Sequence, residues 1–177
     1  DALTEVLTYH VLGSTVMSTD LASGKNFAAT LQGANAVVNV GDAGVTVNKA
    51  NVYAADIEAS NGVIHAIDSI ILPPSTLADL IYTSADHTIL MAALDAAELT
   101  PALAAEGAKT VFAPTDDAFA ALPEGTVEAL LADIPTLSSI LLTHVIDAEI
   151  PSSAITSDRV WVTTLSGAGL AVEGGEG

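Results

Sequence analysis

The chain has 177 residues, no cysteine, 22 Asp plus Glu against 4 Lys plus Arg, and a formal net charge of -18. Such a surface repels phosphate backbones and anionic lipid, which excludes nucleic-acid binding as a primary role. The lack of cysteine excludes a disulfide framework, thiolate chemistry and Cys-ligated zinc. Half of the residues are apolar and 15% charged, enough to bury a core. The densest apolar run, Val63 to Leu72, is broken by His65 and Asp68, so no stretch has the length a membrane-spanning helix needs. The first residue is Asp1 and no basic-then-apolar leader follows, so the chain reads as a mature fragment.

In chain order, Leu3, Val6, Leu7 and Val11 have helical spacing and stop at Gly13-Ser14. From Phe27 the pattern turns to strand. Ala36 to Val40 and Val45 to Val47 alternate around Gly41-Asp42-Ala43-Gly44, which predicts a hairpin. Val52 to Ala54 and Val63 to Ile67 are further strands, with Ser60-Asn61-Gly62 as the turn between them. Pro73-Pro74 ends regular structure, because neither proline donates to a ladder and each restricts the residue before it. Beyond them Ser75 or Thr76 is placed to cap a helix with Leu77, Leu80 and Ile81 as its buried stripe. Asp86 is placed to cap another helix carrying Ile89, Leu90 and Leu94, ahead of which His87 is expected to be exposed. A short strand, Thr110 to Ala113, leads to a capped start at Thr115-Asp116. Two amphipathic helices follow, through Val127, Leu130, Leu131 and through Leu137, Ile140, Leu141. The closing Gly174-Gly175-Glu176-Gly177 is expected to be loose.

A long internal repeat organises these segments. Superposing Tyr9-His10-Val11 on Thr143-His144-Val145 sets an offset from residue 10 to residue 144, and Leu3, Leu7, Ser18, Ser23, Thr30-Leu31 and Gly33-Ala34 then fall on identical residues. Conservative replacements fill the gaps, among them Val16 with Ile150, Lys25 with Arg159 and Phe27 with Trp161. An offset of this size is a domain length, far beyond a solenoid repeat. The chain therefore reads as a window cut across two tandem modules: residues 1–74 as the carboxy-terminal half of the first, and 75–177 as the amino-terminal and central part of the second. On this reading the two parts hold one full set of elements in permuted order, and the two halves are expected either to pack as a permuted module or to pair with neighbouring chains.

Three motifs resemble the fasciclin domain family. Thr110-Val-Phe112-Ala-Pro114-Thr115-Asp116-Asp-Ala-Phe119 resembles its first signature. Gly62-Val-Ile-His65-Ala-Ile-Asp68, followed by Ile71-Leu72-Pro73, resembles its second, and Tyr9-His10-Val11 resembles the Tyr-His element between them. The resemblance implies an α+β fold, a wedge of about seven strands with several helices, in tandem on secreted or cell-surface proteins that serve adhesion. It implies no cofactor. A binding role of the Tyr-His element would pass to Tyr9 and His10 alone, since the second copy has Thr143 before His144. Asp56-Ile57 occupies the place of a dipeptide linked to integrin binding in some animal members.

No catalytic constellation accompanies these motifs. The four histidines form no H-E-x-x-H or H-x-H arrangement, and His10, His65 and His144, each within an apolar run, read as structural rings bonded at both nitrogens. Adjacent carboxylates at Asp116 and Asp117 diverge at a helix start, which suits capping better than paired acid-base work or a calcium site. There is no G-x-S-x-G or S-x-x-K for serine chemistry, and Gly41 to Gly44 lacks the lysine of a phosphate loop. Phe27 and Trp161 read as packed sheet aromatics, or as an exposed glycan-stacking face. The sequence thus points to a non-enzymatic, exported adhesion or matrix module, extracellular or periplasmic, whose partner is a cell-surface or matrix protein, a glycan or a neighbouring module or chain. The alternative is a purely structural spacer or filament repeat. The acid is uneven: residues 1–74 carry net -5 and residues 75–177 net -13, from 7 acids against 2 bases and 15 against 2.

Overall fold

The structure, a computed structural model, describes residues 1–155 and 159–174. Ser157 and residues 175–177, read above from sequence, lie outside them. The chain divides into two compact units, residues 1–75 with 82–85, and residues 76–81 with 86 onward.

The first unit opens with α1 (Ala2–Tyr9), whose N-cap Asp1 accepts a hydrogen bond from Thr4 N at 3.0 Å. Five strands follow, β1 (Gly24–Ala29), β2 (Asn35–Gly41), β3 (Gly44–Val47), β4 (Ala50–Ala59) and β5 (Gly62–Ile67). They form one antiparallel meander in sequence order. Gly44, at φ +121°, closes the expected hairpin. A second tight turn, not evident from glycine content, joins β3 to β4 through Asn48 (φ 49°) and Lys49 (φ 91°), the left-handed pair of a two-residue hairpin. Asn48 earns this place by bonding Val37 twice, its N donating to Val37 O and its Oδ1 accepting from Val37 N, both at 2.8 Å. Tyr9, Ala36, Ala50 and Ile71 form the core beneath α1.

The second unit holds α2 (Leu77–Tyr82, its last residue grouped with the first unit), α3 (Thr88–Ala96), α4 (Thr100–Ala104), β6 (Thr110–Val111), α5 (Asp116–Ala120), α6 (Thr126–Ala132), α7 (Ile134–Thr143), β7 (Val145–Ile146), β8 (Val160–Thr163) and β9 (Gly169–Val172). β6 pairs with β7, and β8 with β9. Leu90, Met91 and Leu94 of α3, with Leu137, Leu141, Val145 and Ile146, are buried. This α+β architecture agrees with the sequence reading. Thr76 caps α2, its Oγ1 accepting from Asp79 N at 3.1 Å, but Leu80 is exposed and Ala78 takes the buried stripe with Ile81. The strand at 110 is shorter than expected. His87, expected exposed, is half-buried at the start of α3.

The repeat persists in the hydrogen bonding. Leu31 N donates to Val11 O, and Leu165 N to Val145 O, both at 2.8 Å. Thr30 Oγ1 donates to Ala34 O at 2.7 Å and Thr164 Oγ1 to Ala168 O at 3.0 Å, with Gly33 and Gly167 both at positive φ. β1 and β2 keep their register in β8 and β9: Phe27 opposes Val37, and Trp161 opposes Ala171. Short 3-10 turns at Ser18–Asp20 and Ser152–Ala154 also coincide.

Candidate functional site

The Tyr-His element lies at the end of α1. Tyr9 is 1% exposed; its hydroxyl donates to Asn35 O at 2.9 Å and accepts from Asn48 Nδ2 at 2.6 Å. Tyr9, which the family resemblance implies as a binding residue, is thus a ring sealed under the sheet. His10 is exposed and acts as a bridge. Ile71 N donates to its Nε2 at 3.4 Å, which leaves the proton on Nδ1 to donate to Val6 O at 2.7 Å. His144 repeats the bond to its own helix, Nδ1 to Ile140 O at 2.8 Å.

Around the second signature, Gly62 opposes Ala59 at the β4–β5 turn, and Asp68 closes the other end. Asp68 accepts from Asn51 N at 2.8 Å and from Asn51 Nδ2 at 2.7 Å. Those bonds, the side-chain one foremost, hold its carboxyl below the usual range. Asp56 has a left-handed backbone, φ 56°, where the β4–β5 register shifts. Its carboxylate accepts from both Ser18 Oγ and Ser18 N, and the side-chain bond is the main cause of its lowered pKa. His65 stands behind it: Nδ1 accepts from Asp56 N at 3.4 Å, and Nε2 donates to Val16 O at 2.8 Å. Ser18, Asp56 and His65 come together, but the imidazole meets backbone and does not reach the hydroxyl, so this is no nucleophile-base pair. Ile57 beside them is 46% exposed.

The first signature is likewise structural. Thr110 Oγ1 donates to Ala148 O and accepts from Ile150 N, at 2.7 and 2.8 Å. Phe112 N donates to His144 O at 3.0 Å, and Phe112, Pro114 and Phe119 are half-buried. Thr115 caps α5 through Ala118 N. Asp116, expected to cap its own helix, instead reaches α3, where it accepts from Thr88 Oγ1 at 2.6 Å, Ile89 N at 2.8 Å and Thr88 N at 3.2 Å. Asp116 thus satisfies the N–H groups expected to fall to Asp86. Desolvation is the largest influence on its pKa and pushes it up, but the Thr88 and Ile89 bonds together outweigh it and leave the carboxyl lowered.

Two further features carry no sequence signal of their own. Lys25 and Lys49 both place their ammonium groups over the Tyr82 ring, 5.2 and 5.8 Å from its centre. Asn35 Nδ2 donates to Thr83 O at 3.2 Å, so residues 82–85 lie clasped on the Phe27 face of the sheet. On the β8–β9 hairpin, Trp161 is 68% exposed.

Comparison with known proteins fits these motifs. The family model described as the fasciclin domain matches residues 1–73 and 85–177. Protein sll1483 of a Synechocystis strain is 47% identical over 74 residues, covering 42% of this chain and 40% of that protein. Transforming growth factor-beta-induced protein ig-h3 of Sus scrofa is 30% identical over 172 residues, 96% of this chain and 25% of its own length. The chain thus spans well under half of these relatives. Among solved structures, a FAS1 domain pair from the insect cell adhesion molecule fasciclin I shares the fold, with TM-score 0.56, 18% identity, and coverage of 98% of this chain and 67% of that one. A further relative, 46% identical over 68 residues, 38% of this chain and 30% of its own length, is the cell surface glycolipoprotein MPB83 of Mycobacterium bovis. With both signatures, the Tyr-His element and the family model matched along both segments, the chain belongs to the fasciclin domain family.

Proposed function

We propose that this chain is a non-catalytic adhesion or matrix-interaction segment of an exported tandem-repeat protein, built from the carboxy-terminal half of one fasciclin module and the amino-terminal and central part of the next. The observation that carries it is the family match along both segments, reinforced by a repeat in which several turn and bridge hydrogen bonds recur. Uneven cover supports the division. In α7, Leu137 and Leu141 are 3% and 5% exposed beneath α3, whereas their equivalents Leu3 and Leu7 in α1 are 68% and 57% exposed. Helices like α2 to α6 are what a first module would add there.

Binding then proceeds through open surfaces, with a cell-surface or matrix protein, a glycan or a neighbouring module as partner. His10 and the exposed Ile57 are the accessible members of the residues implied by the family; the Asp56 carboxylate serves Ser18. A spacer or filament role is the second reading, favoured by the fidelity of the repeat. Coating the intact chain on a surface and measuring attachment of cells and matrix proteins decides between them. Saturable attachment, lost on heat denaturation, is expected. Absence of attachment to cells, glycans and matrix proteins, together with stiff extended tandem arrays, would favour the spacer.

A further inference from the structure

Six asparagines lie in the chain, and five of them have their carboxamides held by hydrogen bonds. Asn26 donates to Ala22 O at 2.8 Å, Asn35 to Thr83 O at 3.2 Å, Asn39 to the Tyr82 hydroxyl at 3.5 Å, Asn48 to the Tyr9 hydroxyl at 2.6 Å and Asn51 to Asp68 Oδ2 at 2.7 Å. Asn61 differs from all of them. It is exposed in the two-residue turn Ser60-Asn61 that joins β4 to β5, and its carboxamide has no partner among the described residues. It alone is followed by glycine, whereas the others precede Phe27, Ala36, Val40, Lys49 and Val52. The backbone makes no demand for glycine at this place, because Gly62 is not among the positive-φ residues and a Cβ built on it would meet no atom within 4 Å. No side chain shields its peptide nitrogen.

We propose that Asn61 is a site of spontaneous deamidation, with the chain itself and water as the only reactants. Asparagine is thermolabile because its side-chain carbonyl carbon can be reached by the next peptide nitrogen. Hydroxide takes the proton from Gly62 N, and the nitrogen attacks Asn61 Cγ. The new C–N bond closes a five-membered imide while the Cγ–Nδ2 bond breaks, and ammonia leaves with a proton returned from solvent. Water then adds to either imide carbonyl. One opening leaves aspartate, and the other leaves isoaspartate, in which the main chain runs through the former side-chain carbon. Glycine favours ring closure through its wide conformational range. The place in the fold helps as well, since Ala59 and Gly62 are the last pair of their hairpin and open more readily than the ladder behind them. The five held carboxamides must first give up a hydrogen bond. Both products add a carboxylate three residues from Glu58. Isoaspartate also lengthens by one backbone atom the turn that sets Glu58 opposite Val63 and Ile57 opposite Ile64.

The test ages the intact folded chain in warm, mildly alkaline buffer. Peptide mapping by mass spectrometry reads conversion at each asparagine, and enzymatic methylation of isoaspartate separates the two products. Asn61 should convert at least tenfold faster than any other asparagine, faster still as pH rises, and should yield both acids. Gly62→Ala, which the backbone accommodates, should slow conversion at least tenfold with the circular dichroism spectrum unchanged. Asn61→Gln should remove the mass gain from this turn, since its longer side chain closes a larger ring far more slowly. Equal conversion at another asparagine overturns the site, and so does an unchanged rate in Gly62→Ala. An Asn61 that stays intact in the folded chain overturns it too, and conversion after unfolding in urea would then show that the turn holds the reacting atoms apart.

Discussion

Residues 1–34 and the described residues of 135–168 build similar local structure but differ in how their apolar side chains are covered. Both contain a helix, a His ring bonded to the carbonyl four residues earlier, a 3-10 turn and a strand entering a hairpin. In the second copy Leu137 and Leu141 of the helix are buried, and so is the strand after it, with Val145 and Ile146 paired to β6 and only 3% and 4% exposed. In the first, Val11 is 47% exposed, while Tyr9 is sealed on the opposite side by the strands that follow. Local sequence therefore sets the backbone, and the non-local cover sets how much each apolar side chain stabilises.

Core deletions should break the symmetry of the copies most strongly. Leu137→Ala or Leu141→Ala should destabilise by about 2–5 kcal/mol through lost burial and a cavity. Leu3→Ala or Leu7→Ala at the equivalent exposed positions should stay within about 0.5 kcal/mol. Urea denaturation of the four variants checks the contrast, and equal losses in both copies would show that α1 is covered too.

Tyr9→Phe sharpens the same comparison from the other side. It should cost about 1–3 kcal/mol, because Asn48 Nδ2 and Asn35 O each lose a partner under the sheet. Thr143→Val, at the equivalent position, loses bonds to Ser139 O and Ser166 Oγ at a partly exposed site and should cost less than Tyr9→Phe in the same assay.

Asp116→Ala should remove about 0.5–2 kcal/mol by uncapping α3. Its lowered pKa also gives a sign. Because the folded carboxyl binds its proton less readily than the unfolded one, the stabilisation is present above the unfolded pKa of about 4 and is lost as pH falls below it through the folded value. Asp56 and Asp68 act in the same direction. Melting followed from pH 6 to pH 2 should therefore show stability falling below about pH 4, with a shallower fall in Asp116→Ala. The smallest effect belongs to Arg159→Ala, an exposed pair with Glu173, at under about 1 kcal/mol.

Much of this fold is legible in the sequence because its signals are local. The β2–β3 hairpin follows from alternating valines around a glycine turn, and the Thr115 cap from one hydroxyl three residues before its target. What is hidden depends on distant partners. Asp116 looks like a cap for its own helix, yet its partners lie 27 and 28 residues earlier. Asp56 resembles an adhesion dipeptide, but Ser18, 38 residues away, occupies its carboxylate. Tyr9, implied as a binding residue, is drawn inside by Asn35 and Asn48, neither of which marks itself in the sequence. Trp161 and Phe27 align as equivalents, yet the face that Phe27 shares is covered by residues 82–85, whose Thr83 O is held by Asn35 from 48 positions earlier.

Native-state hydrogen exchange on the intact chain tests most directly the claim that the copies are unequal halves of tandem modules. The amide of Leu141 in α7 should exchange at least tenfold more slowly than that of Leu7 in α1, since matching helices differ mainly in cover. Equal protection of the two amides would contradict the account.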